Sequence, residues 1–270
     1  MNRTMITATN TLGQLQKNLD VISSNMANVD TTGYKRKQAT FTDLLVQQFN
    51  NQPSAENEIG RLTPNGIRQG TGAKLGQVQA VMAQGSLKTT NRPLDTAFTK
   101  EAQVYRVLVQ KDGNSEVQYT RDGAFYLSPV SPNQTMLVTS AGNPILDENN
   151  NPININGQAK GYSVTENGSL VVEMTGGEKQ TINLGVTLVN KPQFLVSKGD
   201  NLLGLPDNLG ALNVIEGDVL TNLEGDARNQ ISIKQGALEQ SNVDLSKEMT
   251  DLITVQRSYQ FQSRSINLAD

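Results

Sequence analysis

Apolar residues recur at alternating spacings of three and four at both ends of this chain, and that pattern constrains the fold more than any other feature. At the start they fall at Met1, Met5, Ala8, Leu12, Leu15, Leu19, Ile22, Met26 and Val29. Near the end they fall at Leu245, Met249, Leu252, Tyr259 and Ile266, with Gln256 and Ser263 interrupting the stripe. Such spacing puts the side chains on one line of an α-helix, the a/d pattern of a coiled-coil seam. The stripe is narrower than the face that a helix of a globular core shows. A helix so thinly apolar takes its stability from packing rather than from itself. The pattern predicts two terminal helices that associate helix to helix, against the alternative that each lies on the body of its own chain. Ser241 and Asp244 offer N-cap oxygens to the second helix, and Glu248 suits the positive end of its dipole.

Between the ends the period changes to two. VYRVLV (104–109), AFYL (124–127), MLVT (136–139), SLVV (169–172), TINL (181–184) and FLV (194–196) are short β-favouring runs. Turn signals separate them: KDGN at 111–114, RDG at 121–123, Asn156-Gly157 and Glu166-Asn167-Gly168, with Asn-Gly and Asp-Gly the favoured pairs of tight hairpins. The expected fold class is therefore α+β, mainly β, with an antiparallel β-sandwich or barrel-like central domain and N- and C-terminal α-helices that pair as a coiled coil. The expected division is 1–46 for the N-terminal helical segment, 47–92 for an extended linker or arm, 93–232 for the β-rich domain and 233–270 for the C-terminal helical segment. The arm is rich in Asn, Gln, Gly, Thr and Pro. In an isolated monomer it would carry ordering entropy with little burial, so neighbouring copies are expected to cover it.

The first helix runs into SSNMANVDTTGYKR at 23–36. Asn25, Asn28, Asp30, Thr31 and Thr32 can satisfy its last backbone groups, and Gly33 can take the positive φ that ends a helix.

Composition narrows the chemistry. The chain of 270 residues has no Cys and no His, which removes thiol nucleophiles, disulfides, the usual zinc sites and any Ser-His-Asp machinery. Apolar residues make up 36% and aromatics 4%, without Trp, a composition closer to an extended or assembling protein than to a compact globule. A net charge of −3 and no basic run beyond Lys35-Arg36-Lys37 give no support to a nucleic-acid partner. The first residues hold no apolar run long enough for a cleavable signal, and nothing approaches a membrane span. The glycines of GTGAKLG (70–76) have the spacing G-x-G-x-x-x-G without a strand-to-helix context, so they read as turn or extended arm. Asp147-Glu148 and Glu216/Asp218 sit beside Gly or Asn and read as solvated turn carboxylates rather than as acid/base pairs or calcium ligands. Tyr119-Thr-Arg-Asp-Gly123 reads as a hairpin with a structural Arg/Asp pair. No catalytic residue, cofactor, metal or small-molecule substrate is expected, and the chain is not expected to be an enzyme.

Two of these stretches resemble a known family. SSNMANVDTTGYKR is similar to the signature of bacterial flagellar basal-body rod and hook axial proteins, carried here by Ser24, Asn25, Ala27, Asn28, Thr31, Gly33, Tyr34 and Lys35. QGALEQSNVDLSKEMTDLITVQRSYQFQSRSI (235–266) resembles the same family's other end, through Leu238, Glu239, Ser241, Asn242, Val243, Leu245, Met249, Gln256, Arg257 and Tyr259. LTPNGIRQGTGAKLG (62–76) looks like the segment that sets distal-rod members apart from shorter relatives, and QGSLKTTNRPLD, QYTRDGAFYL and GDNLLGLPDN resemble further family blocks. Two departures stand out. TAFTKEAQVYRV replaces the family's usual acidic-Gly-Gly-Phe-Phe turn after Leu94-Asp95, and family helices commonly continue past the position of Asp270.

The resemblance implies a structural subunit of the flagellar rod, an axial helical filament passing torque from motor to hook, in the basal body outside the cytoplasmic membrane. It implies export by the flagellar type III apparatus, and as partners further copies of the chain and other rod and hook proteins. On this reading Met5, Leu12, Leu15, Leu19, Ile22 and Met26 form the N-terminal seam and Leu245, Met249, Leu252, Tyr259 and Ile266 the C-terminal one. The alternatives are a hook-type subunit and, outside the family, a surface- or carbohydrate-binding β-domain with helical oligomerisation ends.

Overall fold

A computed structural model describes residues 3–43, 47–49, 67–69, 73–111, 113–206 and 208–269. Met1 of the first stripe, residues 50–66 and 70–72 of the expected arm, and the first three residues of GTGAKLG lie outside the described residues. Along the chain, α1 (Arg3–Ala27) is followed by β1 (Lys37–Asp43), β2 (Gln47–Phe49), β3 (Ile67–Gln69) and β4 (Ala73–Ala80). Next come β5 (Leu87–Thr89), β6 (Thr96–Phe98), β7 (Gln103–Lys111), β8 (Asn114–Thr120), β9 (Tyr126–Ser131), β10 (Gln134–Val138) and β11 (Asn154–Asn156). β12 (Ala159–Val164), β13 (Ser169–Met174), β14 (Lys179–Asn183), β15 (Val186–Val189), β16 (Val196–Gly199) and β17 (Leu202–Gly204) complete the main sheets. α2 (Glu216–Val219), β18 (Leu220–Asn222), β19 (Ile233–Gln235), β20 (Ala237–Glu239) and α3 (Leu245–Ala269) follow. The chain divides into two compact units, one drawn from Met1–Ser24, Gln38–Val78 and Ser246–Asp270, the other from Asn25–Lys37 and Gln79–Leu245.

The first unit holds most of α1 and α3 with two ribbons, β1 paired with β4 and β2 antiparallel to β3. Pairing gives the arm's backbone groups partners that a loop would lack, and the Leu75 N–H adds a bond to Gln14 Oε1 at 2.8 Å. The described residues of 47–80 lie in these ribbons. On α1 the expected stripe is the sheltered side: Ala8 and Ile22 are buried, and Met5, Leu12, Leu15, Leu19 and Met26 are half-buried. On α3 the sheltered side is Glu248, Leu252, Val255 and Ile266, whereas Leu245, Met249 and Tyr259 are exposed. Burial within the chain thus puts Glu248 and Val255 beside two residues of the apolar stripe, Leu252 and Ile266, because the turn inward of a charged residue does not register in an apolar pattern. α1 and α3 touch.

The second unit is antiparallel β. Its largest sheet has the order β16-β17-β8-β7-β15-β18, flanked by β9-β10-β11, by β12-β13-β14 and by the pairs β6/β19 and β5/β20. Among the described residues the sheets are open-edged and none closes into a barrel. Strand β7 shows why they stack: its alternating side chains are buried on both faces, Tyr105 and Val107 in one apolar cluster and Val104 in another. Leu137 and Ile155 from one three-stranded sheet, and Leu170 and Val172 from the other, enter the first cluster. Each such side chain contributes roughly 1.5–3 kcal/mol by leaving water. Phe98, Tyr105 and Phe125 pack together within it, Phe98 tilted on Tyr105 with ring centroids 4.3 Å apart and Phe125 edge to face with Tyr105 at 4.9 Å. The Tyr105 hydroxyl lies 2.7 Å from Thr96 Oγ1, and burial pushes its pKa well above the usual tyrosine value.

Hairpins form where KDGN and ENG predict them, at β7/β8 and β12/β13. Other expectations shift. Phe194 lies in a 3-10 turn (Pro192–Phe194), because Pro192 supplies the φ of a first helical position and no ladder donor; the strand begins at Val196. Ala124 makes only an isolated bridge to Asp95, and its strand starts at Tyr126. Asn156-Gly157 leads from one sheet to the next rather than closing a hairpin, since β11 pairs with β10 and β12 with β13. The Arg121-Asp122-Gly123 turn is no hairpin of adjacent strands either, and Arg121 does not pair with Asp122.

Candidate functional site

The helix stop is built differently from the sequence-based expectation. The carbonyls of Asn25 and Met26 accept from the backbone N–H groups of Asn28 and Val29 at 3.1 and 3.4 Å, so the main chain meets part of its own capping. The Asn25 side chain, 1% exposed, works at longer range. Its Nδ2 donates to the Lys37 carbonyl at 2.8 Å, and its Oδ1 accepts from the Lys37 N–H at 2.8 Å and the Tyr34 hydroxyl at 3.3 Å. One carboxamide thus takes the place of a ladder partner and folds the end of α1 onto the first residue of β1. Gly33 is not the helix's terminal residue. Its φ of +68° and a Cβ position only 2.5 Å from the Asp122 nitrogen both require glycine, and its N–H donates to the Glu239 carbonyl at 2.7 Å.

Glu239 is the centre of the site. Lys35 Nζ meets its Oε1 at 2.7 Å, Arg121 Nε meets its Oε2 at 2.5 Å, and the Gly85 N–H donates to Oε1 at 2.8 Å. All three ions are buried, at 5%, 3% and 1% exposure for Lys35, Arg121 and Glu239. Lys35 also donates to the Ala83 carbonyl at 2.8 Å. Arg121 donates to the Gln103 and Lys100 carbonyls and lies 4.9 Å from the Phe98 ring centroid. Burial pushes the Lys35 ammonium's pKa down, with Glu239 opposing it. Burial alone would raise Glu239, yet Arg121 and Lys35 together hold its carboxyl below the usual range. The asymmetry follows from two cations sharing one carboxylate. Removing one partner of such a buried set typically costs about 3–5 kcal/mol, because a charge is left uncompensated in a low-dielectric place.

A second carboxamide completes the site. Asn242 Oδ1 accepts from the Arg36 N–H at 2.7 Å, and its Nδ2 donates to the Val81 and Ala83 carbonyls, each at 2.9 Å. The Val81 N–H in turn donates to the Arg36 carbonyl at 2.8 Å. Asn25 and Asn242 therefore fasten together the end of α1, the start of β1, the chain just after β4 and the approach to α3. The β16/β17 turn closes over this cluster: Asp200 and Asn201 have φ of 45° and 60°, and Asn201 Nδ2 donates to the Thr32 carbonyl at 2.7 Å. Asp122 lies behind it, its Oδ1 accepting from the Ala124 N–H at 3.0 Å, with its pKa pushed up to about 6 by burial and, further, by Asp95.

Of the residues marked out in the sequence, Asn25, Gly33, Tyr34, Lys35, Glu239 and Asn242 converge here. Thr31 Oγ1 donates to Asn28 Oδ1 at 3.1 Å beside them, Ser241 Oγ accepts from the Val243 N–H at 3.3 Å, and Leu238 sits in β20 opposite Lys88. Ser24 and Ala27 belong to the last turns of α1. Gln256 and Arg257 are exposed on α3. The acidic pairs hold ordinary roles: Asp147 accepts from the N–H groups of Asn149 and Asn151, Glu148 lies 3.5 Å from Arg228, and Asp218 lies 3.5 Å from Lys191. Among the described residues no group of three acidic side chains could hold a metal ion. Arg121 reads from the sequence as the partner of Asp122, and its block of resemblance, QYTRDGAFYL, was the signal available; Gly85 stands in another such block, QGSLKTTNRPLD.

The comparisons with known proteins fall on the same residues. Residues 5–35 match the family described as "Flagella basal body rod protein", 105–172 match "Flagellar hook protein FlgE/F/G D1 domain", and 234–270 match "Flagellar basal body rod FlgEFG protein C-terminal". Each segment supplies one member of the buried triad: Lys35, Arg121 and Glu239. The flagellar hook-basal body complex protein FlhP of Bacillus subtilis is 45% identical, over 100% of this chain and 96% of the relative. The flagellar basal-body rod protein FlgG of Buchnera aphidicola is 33% identical, over 94% of this chain and 91% of the relative. FlgG of Bacillus subtilis is 30% identical, over 100% and 96%. This chain belongs to the flagellar basal-body rod and hook protein family.

Proposed function

We propose that the chain is a structural subunit of the flagellar rod that polymerises through α1 and α3 as a coiled-coil layer, and that the site around Glu239 anchors the two segments from which those helices continue. The observation that carries this reading is the meeting of the family's two end motifs in one buried cluster. The FlgG relatives are basal-body rod proteins and match this chain over nearly its whole length. Leu245, Met249 and Ile253 are 43–50% exposed and Phe261 is 77% exposed, an apolar supply that neighbouring copies would cover. A non-closing contact between copies builds a helical filament rather than a ring. The expected seam residues Leu12, Leu15, Leu19, Ile22, Met26, Leu252 and Ile266 would lie within that layer. Export by the flagellar type III apparatus fits a chain without Cys, which needs no oxidative step after passage. Terminal helices that gain most of their packing on joining a neighbour meet the ordering cost at assembly. The test is the double substitution Leu15→Lys with Leu19→Lys. It is expected to abolish polymer and swimming while the β unit stays folded, and unchanged assembly would remove the coiled-coil account.

A further inference from the structure

Lys35 and Arg121 depend on one carboxylate that arrives late in the chain. Arg121 is placed by the β unit itself, through the Gln103 and Lys100 carbonyls and the Phe98 ring, with neither chain end involved. Arg121 is thus held by contacts that neither end motif supplies. Lys35 brings a second positive charge to the other oxygen of the same carboxyl group. Like charges so placed in a low-dielectric site repel strongly. Glu239, 204 residues from Lys35 and 118 from Arg121, is the carboxylate in direct contact with both. Its backbone carbonyl also takes the Gly33 N–H.

We propose that Glu239 makes docking of the N-terminal segment 28–37 conditional on the C-terminal segment 237–243, so that the two end motifs lock onto the β unit together or not at all. Until the carboxylate is in place, Arg121 repels the lysine. Once it is in place, each cation meets one of its two oxygens and the Gly33 N–H bonds to its backbone carbonyl. This coupling is a property of the folded chain and stands independently of the rod reading.

Amide hydrogen exchange on the full chain tests it, with Glu239→Gln retaining shape and acceptor but not charge. The Gly33 and Val81 amides are expected to exchange about 100-fold faster or more, while β7 amides such as Val107 are unchanged. Adding Lys35→Met to Glu239→Gln removes the surplus cation and is expected to return Gly33 to within about tenfold of the parent chain. Unchanged Gly33 protection in Glu239→Gln would overturn the proposal. So would a failure of Lys35→Met to rescue, since Glu239 would then act only as a hydrogen-bond acceptor. Equal loss of protection in β7 would overturn it too, because Glu239 would then support the whole β unit rather than the docking of its ends.

Discussion

Replacing Asn25 with Ala asks how much one carboxamide holds. The side chain is 1% exposed, and its hydrogen bonds include two at 2.8 Å with the Lys37 backbone and one at 3.3 Å from the Tyr34 hydroxyl. Each is worth roughly 0.5–1.5 kcal/mol net, and a buried partner left without a bond costs about 1–3 kcal/mol. Ala leaves the Lys37 N–H and carbonyl without this partner, so the expected loss is about 2–4 kcal/mol, a factor of roughly 30 to 1,000 in the folding equilibrium. Urea unfolding of the β unit measures the loss, and hydrogen exchange at the Lys37 amide locates it. Asn25→Asp separates the contributions, because it keeps the acceptor, loses the Nδ2 donor and sets a carboxylate near the Lys37 carbonyl; at neutral pH it too is expected to destabilise. A cost for Asn25→Ala below about 0.5 kcal/mol, with the Lys37 amide still protected, would refute the reasoning that this side chain substitutes for a ladder partner.

Gly33→Ala combines a φ of +68° with a Cβ pressed on the Asp122 nitrogen, and is expected to lower stability by about 2–4 kcal/mol in thermal melts; a neutral change would show that this approach is not required. Asp122, with its pKa raised by burial to about 6 from 3.8, binds its proton more tightly in the folded state. Its contribution to stability is therefore fully present below about pH 4 and is lost as pH rises through about 6. Asp122→Asn should remove that slope from urea midpoints measured between these values, and the same slope in both proteins would exclude Asp122 as its source. Glu239 acts in the opposite sense, since its depressed carboxyl contributes stability that is lost as pH falls, and so it does not mimic the effect.

The elements of this fold follow local patterns, and those were legible. Heptad spacing announced α1 and α3, alternation announced β7 and β13, and Asp-Gly and Asn-Gly pairs announced two hairpins. Where local patterns failed, a competing local rule or a distant partner decided the outcome. Pro192 turned the strand expected at 194 into a 3-10 turn. Glu248 faces inward on α3, so the exposed and sheltered sides there differ from an apolar pattern. Asn25 reads as a helix cap because its partner, Lys37, lies beyond the reach of capping geometry. Arg121 reads as the partner of Asp122 because the carboxylate it actually meets is 118 residues away. The buried triad joins three segments far apart in sequence, and no spacing rule brings Lys35, Arg121 and Glu239 together.

Hydrogen exchange compared between the free chain and its polymer tests the central claim most directly, that the terminal helices are the assembly layer and the Glu239 cluster its anchor. The account predicts that α3 amides around Met249, Ile253 and Phe261 exchange readily in the free chain and become protected on assembly, whereas Gly33, Lys37 and Val81 are protected in both. Equal protection of α3 in the free chain and the polymer would contradict it.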